Sequence, residues 1–207
     1  MVSTVNKHTV GSLRITTKGF TLLEVLVALV IFSIGLLGLA GLQILSLRLT
    51  GDSLLRTTAA ILANDMIDRM RANPTASNLG TTSPYNNPSK TSTGNPNCIG
   101  KNGSGVATNT QCDATQMAAH DFYEWYANIA GAPATAWHPL IAASLPSGGG
   151  VVCVDSTPND GTAAATGCDN NVAVAGKPIF AIKIWWTERK DANSPGVTRN
   201  YITTFSL

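Results

Sequence analysis

The sequence predicts an α+β fold in which one long N-terminal helix, half membrane-spanning and half amphipathic, packs on a C-terminal antiparallel sheet. Three observations predict it. The stretch from Phe20 to Leu47 is apolar and has neither Lys nor Arg. A helical stripe of apolar residues then continues to Met70. Finally, the last third of the chain carries the period-two alternation and turn residues of strands.

In chain order, the apolar segment 20–47 would run about 42 Å as a helix, enough to cross a hydrocarbon core of roughly 30 Å. Leu55, Ala59, Leu62, Met66 and Met70 follow at three- and four-residue steps, so 48–73 is the amphipathic half of the same helix. Arg48, Asp52 and Arg56 form a ladder at four-residue spacing, and Asp65 with Arg69 repeats it. Such pairs add a few tenths of a kcal/mol each and are expected as solvated support. Asn73-Pro74 ends the helix, because the residue before proline is pushed out of the α region. The whole element, 20–72, would be about 80 Å long.

Residues 74–207 are expected as one globular domain. Its first part, Pro74 to Gln111, is rich in Pro, Gly, Ser, Thr and Asn and reads as a long surface loop or mobile region. Asp113 is a candidate N-cap for an extra short helix in which Ala118, Phe122, Trp125 and Ile129 share a face, with Gly131 as its stop. Leu145 to Gly150 reads as a turn feeding a strand at Val151–Asp155. From Pro178 to Thr187, Phe180, Ile182, Ile184 and Trp186 alternate with Ile179, Ala181, Lys183 and Trp185. A last strand, Val197–Leu207, follows the turn residues 191–196, so these two strands make a hairpin. A further strand is expected around 172–174.

An apolar fraction of 44% with 13% charged residues exceeds what a soluble domain needs. Lys7, Arg14 and Lys18 precede the apolar run without an acidic residue, which keeps that end cytoplasmic and sends the remainder across the membrane. Of 14 basic residues these three lie in 1–19, leaving 11 against 12 acidic ones. The balance offers no charge-based argument for a nucleic-acid partner.

Cys98, Cys112, Cys153 and Cys168 all lie on the exported side, where disulfides persist. Four cysteines allow three connectivities. The local pairings, Cys98 with Cys112 and Cys153 with Cys168, are expected because each closes a short polar loop. Closing about 15 residues stabilises by roughly 3 kcal/mol in the chain-entropy model. Zinc is the competing reading, weakened by the lack of a Cys-x-x-Cys pair or His cluster. Asp155, Asp160 and Asp169 border the second cysteine loop and suggest calcium. An EF-hand pattern begun at Asp155 fails, with Asp160 where glycine should turn the chain and Thr166 where a glutamate should close it. No metal and no cofactor is expected. Neither His120 nor His138 sits in a nucleophile signature, so an enzyme is not expected. Trp125, Trp185 and Trp186 read as core aromatics.

Lys18-Gly19-Phe20-Thr21-Leu22-Leu23-Glu24 stands directly before the apolar run, and Glu24 is the one charge within it. The motif resembles the processing site of class III signal peptides, those of type IV pilins and pseudopilins. An ordinary secretory signal places its cleavage site after the apolar core, not before it. Ile34–Gln43, Met66–Asn73, Asp121-x-x-x-Trp125, Leu145-Pro146-x-Gly148 and Ile182-x-Ile184-x-Trp186 further resemble the PilV family of minor pilins, the type IV pilus modification proteins.

That resemblance implies a leader at 1–19, cut by a prepilin peptidase after Gly19, and methylation of the new amine on Phe20. A side chain at Gly19 would obstruct the peptidase's approach to the backbone. It also gives Glu24 a role. A carboxylate near the centre of a membrane helix costs roughly 2.5 to 3.5 kcal/mol on insertion scales, and pairing with a neighbouring subunit's N-terminal ammonium would offset part of that cost. The implied partners are the inner membrane, the prepilin peptidase, other minor pilins, the major pilin and a PilY-type tip adhesin. The implied location is a single-pass inner-membrane protein with a periplasmic domain, later part of the pilus, at its tip. The nearest alternative, a type II secretion minor pseudopilin of the I type, shares the N-terminal chemistry; a DNA-uptake pilin is an alternative of a different class, against which the charge balance argues.

Overall fold

The computed structural model describes residues 19–90, 93–101, 104–107, 112–136, 138–172, 177–189 and 193–206. Residues 1–18 of the expected leader, residues 173–174 of the expected further strand, and residues 191–192 of the expected hairpin turn lie outside the described residues. Val172 is in coil.

Helix α1 spans Leu22–Ala72. The chain divides into two compact units, one ending at Leu47 and the other comprising Arg48–Leu207, and α1 contributes to both. In the first unit every described residue through Leu47 is exposed. This is the one helix among the described residues with the length and apolarity to cross a membrane. In the second unit Ala59, Leu62, Ala63, Met66, Ile67 and Met70 are buried, a repeat of three and four residues that lines one face of the helix.

That stripe packs against α3 (Ala114–Ala130) and a three-stranded sheet. Asp113 caps α3 through a reciprocal box with Gln116, and Gly131 follows its last turn. Phe122, Trp125 and Ile129 supply its core face. The sheet has the order β1 (Gly149–Val154), β2 (Phe180–Glu188), β3 (Val197–Phe205), antiparallel throughout. Its registers include Val151 opposite Lys183 and Phe180 opposite Phe205. From β2, Phe180, Ile182, Ile184 and Trp186 enter the core with Val152, Val154 and Phe205.

Alternation along β2 suggests one buried and one wetter face, yet both are covered. Ala181, Lys183 and Trp185 are as deeply buried as their neighbours. A central strand enclosed on both faces reads as a nearly continuous apolar run, and Phe180–Trp186 is such a run with one lysine inside it. The second cysteine loop reaches Lys183 on the side away from the helical core.

The segment after α1 is more ordered than its composition suggests. Pro74–Ser77 forms a short helix, α2, and Gly80–Thr82 and Pro96–Ile99 are single 3-10 turns. Tyr85 is fully buried, and Asn87 bridges to Val152 at the β1 edge. One aromatic residue and a few backbone pairings therefore fasten a polar stretch that lacks helical or strand periodicity.

Candidate functional site

Two regions carry chemistry. They belong to different units of the chain and are taken separately.

The first is the head of α1. Gly19 and Phe20 are exposed ahead of the helix, and Phe20 is 82% exposed. Thr21 caps the helix: its Oγ1 accepts from the Glu24 amide at 3.3 Å, and its carbonyl accepts from the Glu24 and Val25 amides at 3.1 and 3.3 Å. Glu24 is thus at the third helical position, within the first turn, where a negative charge interacts favourably with the helix dipole. The spacing Thr21-x-x-Glu24 is a capping-box signature, so this cap was readable from sequence and is an addition to the processing motif. Gly35, Gly38 and Gly41 have no heavy atom within 4 Å of where a Cβ would stand, apart from the helix's own backbone.

The second region is the polar framework of the domain. Arg69 joins Asp65 on its own helix, at 3.0 Å, to Asp121 of α3, at 3.2 Å. The other oxygen of Asp121 accepts from the Tyr85 hydroxyl at 2.5 Å. Trp125 Nε1 donates to the Leu62 carbonyl at 2.7 Å, and Asn73 Nδ2 donates to the Ala114 carbonyl at 2.8 Å. Asp121 and Trp125, one helical turn apart, hold α3 to α1 by hydrogen bonds as well as packing. Arg69 is therefore part of a partly buried network, in contrast to its expected role as solvated support. Burial alone would lower the Arg69 pKa, and the carboxylates of Asp65 and then Asp121 outweigh it and raise it. Burial, and then the bond to Asp121, pushes the Tyr85 hydroxyl well above its ordinary value.

His120 accepts the Asn95 amide on Nδ1 at 3.1 Å, and burial lowers its pKa. His138 places Nε2 2.9 Å from Glu124 Oε1. These contacts fasten the segments around Asn95 and His138 to α3.

The cysteines form Cys98–Cys112 and Cys153–Cys168, the two local pairs among the three possible connectivities. Cys153, Cys168 and Asp155 come close enough to suggest a metal group. The two sulfurs are spent on each other, however, and Asp155 Oδ2 lies 2.6 Å from Lys183 Nζ, both side chains being fully buried. That oxygen receives no well-angled hydrogen bond, so the ion pair is what compensates its charge. Nothing in the sequence pattern marked Lys183 beyond its being the one charge inside the apolar run Phe180–Trp186.

Two family models match the chain. The prokaryotic N-terminal methylation motif covers residues 16–40, and the model described as type IV pilin Tt1218 covers 41–123. No curated protein and no solved structure gives a significant match. The two matched segments abut and take in the processing motif, all of α1 and the first turns of α3. With the helix-and-sheet architecture they mark the chain as type IV pilin-like, with an N-terminal methylation motif at the head of a helix long and apolar enough to cross a membrane.

Proposed function

We propose that this protein is a minor pilin of the type IV pilus, a structural and assembly subunit and not an enzyme. It joins other minor pilins to start and cap the fibre and supports display of a PilY-type tip adhesin. The observation that carries this reading is Gly19-Phe20-Thr21-Leu22-Leu23-Glu24 at the head of an apolar helix whose side chains are all exposed through Leu47. Prepilin peptidase cleaves after Gly19 and methylates Phe20, leaving an ammonium group four residues before Glu24. In the assembled fibre Glu24 pairs with that group on an adjacent subunit and sets the axial register. Before assembly the protein is held in the inner membrane by 20–47, with residues 74–207 in the periplasm.

The test is incorporation. Glu24→Ala should be processed normally and fail to enter pili or their initiation complex, as read by immunoblotting sheared pili against total membranes. Normal piliation supported by this variant in a strain lacking the native protein would overturn the reading. Gly19→Trp should accumulate as uncleaved precursor, larger by the mass of the leader. A type II secretion pseudopilin remains the competing assignment and would appear as lost protein secretion with intact pili.

A further inference from the structure

The Lys183 ammonium is enclosed by oxygen. Nζ lies 2.6 Å from Asp155 Oδ2, 3.0 Å from Asp160 Oδ1, 3.1 Å from the Asp160 carbonyl and 2.9 Å from the Thr166 carbonyl. Two carboxylates and two backbone carbonyls are the donor set of a hard divalent cation, which takes six to eight oxygens in flexible geometry. The loop is wound to present them. Gly161 and Gly167, each directly after a contributing residue, have φ of +84° and +71°. A Cβ at Gly161 would fall 2.2 Å from the Thr166 carbonyl oxygen, and one at Gly167 would fall 2.2 Å from Asp160 Oδ1. Thr157 holds the second Asp160 oxygen at 2.8 Å, and the Cys153–Cys168 bridge closes the loop behind. Asp160 and Thr166, the two positions that break the EF-hand pattern, are the ones whose carbonyls turn toward the lysine.

We infer that residues 155–169 form a calcium-type oxygen site whose resident cation is the Lys183 ammonium. The domain thereby has the fastening of a metal-bound loop without requiring a metal, and removing the amine exposes a site for calcium. A compact ammonium with three donors can stand in for a metal ion because the cage supplies charge and acceptors without demanding one coordination geometry.

The full chain in detergent tests this by thermal unfolding in EDTA and in 10 mM CaCl2, with terbium luminescence excited through tryptophan as a second readout. The native chain should melt at the same temperature in both buffers and give no terbium signal. Lys183→Ala should melt lower in EDTA and recover about 5 °C or more in calcium, since a ligand that binds only the folded state stabilises it by mass action. It should also bind terbium. Adding Asp160→Asn to Lys183→Ala should remove both responses. Equal calcium stabilisation of the native chain, no calcium response in Lys183→Ala, or an alanine variant that stays unfolded in calcium would each overturn the inference.

Discussion

The two halves of α1 are one continuous helix and obey different rules. Before Leu47 every side chain is exposed and nearly all are apolar; after Arg48 a stripe of six residues is buried by the domain that follows. The second half is satisfied within its own chain. The first half, left in water, would expose far more apolar surface than a soluble monomer tolerates. No described residue covers it, and under the proposed function its partners are lipid first and other subunits afterwards. Regular secondary structure thus says little about where an element's stabilisation comes from. Here that is decided by whether polar residues interrupt the apolar surface and give it one buried side.

Perturbations in each half should therefore separate cleanly. Largest in effect is Glu24→Ala, which should abolish incorporation while leaving the melting temperature of the domain unchanged. A fall in both would show that the first half also serves domain folding. Next is Met66→Ala in the second half. Met66 is fully buried in the core, and truncation should cost about 2 to 5 kcal/mol in denaturant unfolding. Leader cleavage of that variant should be unaffected on immunoblots.

Smaller, and a sharper probe of the polar framework, is Tyr85→Phe, expected to cost about 1 to 3 kcal/mol by leaving a buried Asp121 oxygen without its donor. Its signature is in pH. The Tyr85 hydroxyl holds its proton more tightly in the folded state than in the unfolded chain. Its contribution is therefore complete below the ordinary value of 10 and is lost as pH rises past it. Native protein should lose stability above pH 10 more steeply than Tyr85→Phe, as read by chemical denaturation across pH 8 to 11. At the acid end the sign reverses. Burial lowers the pKa of His120 below its ordinary 6.5, so the unfolded chain takes up that proton first and stability falls as pH drops through 6.5. Asp169, held low by Ser156 and by the amides of Asn171 and Ser156, and Asp160, held low by Thr157 and Lys183, add to the loss below the usual carboxylate range.

Much of this was legible in the residues. The apolar run, the stripe from Ala59 to Met70, the stop at Asn73-Pro74 and the cap at Asp113 are local patterns, and each stands in the structure with shifts of one or two residues. The strands are likewise set by local alternation and turn chemistry, though β2 runs Phe180–Glu188 and β3 stops at Phe205. Order in 74–90 and 93–101 was not legible, because a segment without periodicity is held by isolated contacts such as buried Tyr85 and the Asn87 bridge. Lys183 was hidden for a related reason: its four oxygen partners come from 17 to 28 positions earlier and no spacing rule joins them.

By itself the sequence determined the N-terminal motif, the membrane-length apolar segment, the order of helix and strands, and a charge balance that offers no argument for a nucleic-acid partner. These depend on residue type and short-range periodicity, which the backbone geometry of helix and strand converts directly into structure. Only the tertiary structure decided that β2 is covered on both faces, that Arg69, Asp121 and Tyr85 share one network, and that a lysine supplies the cation for the second cysteine loop. Those depend on side chains meeting across long stretches of chain, and a buried charge becomes tolerable only when folding gathers its partners around it.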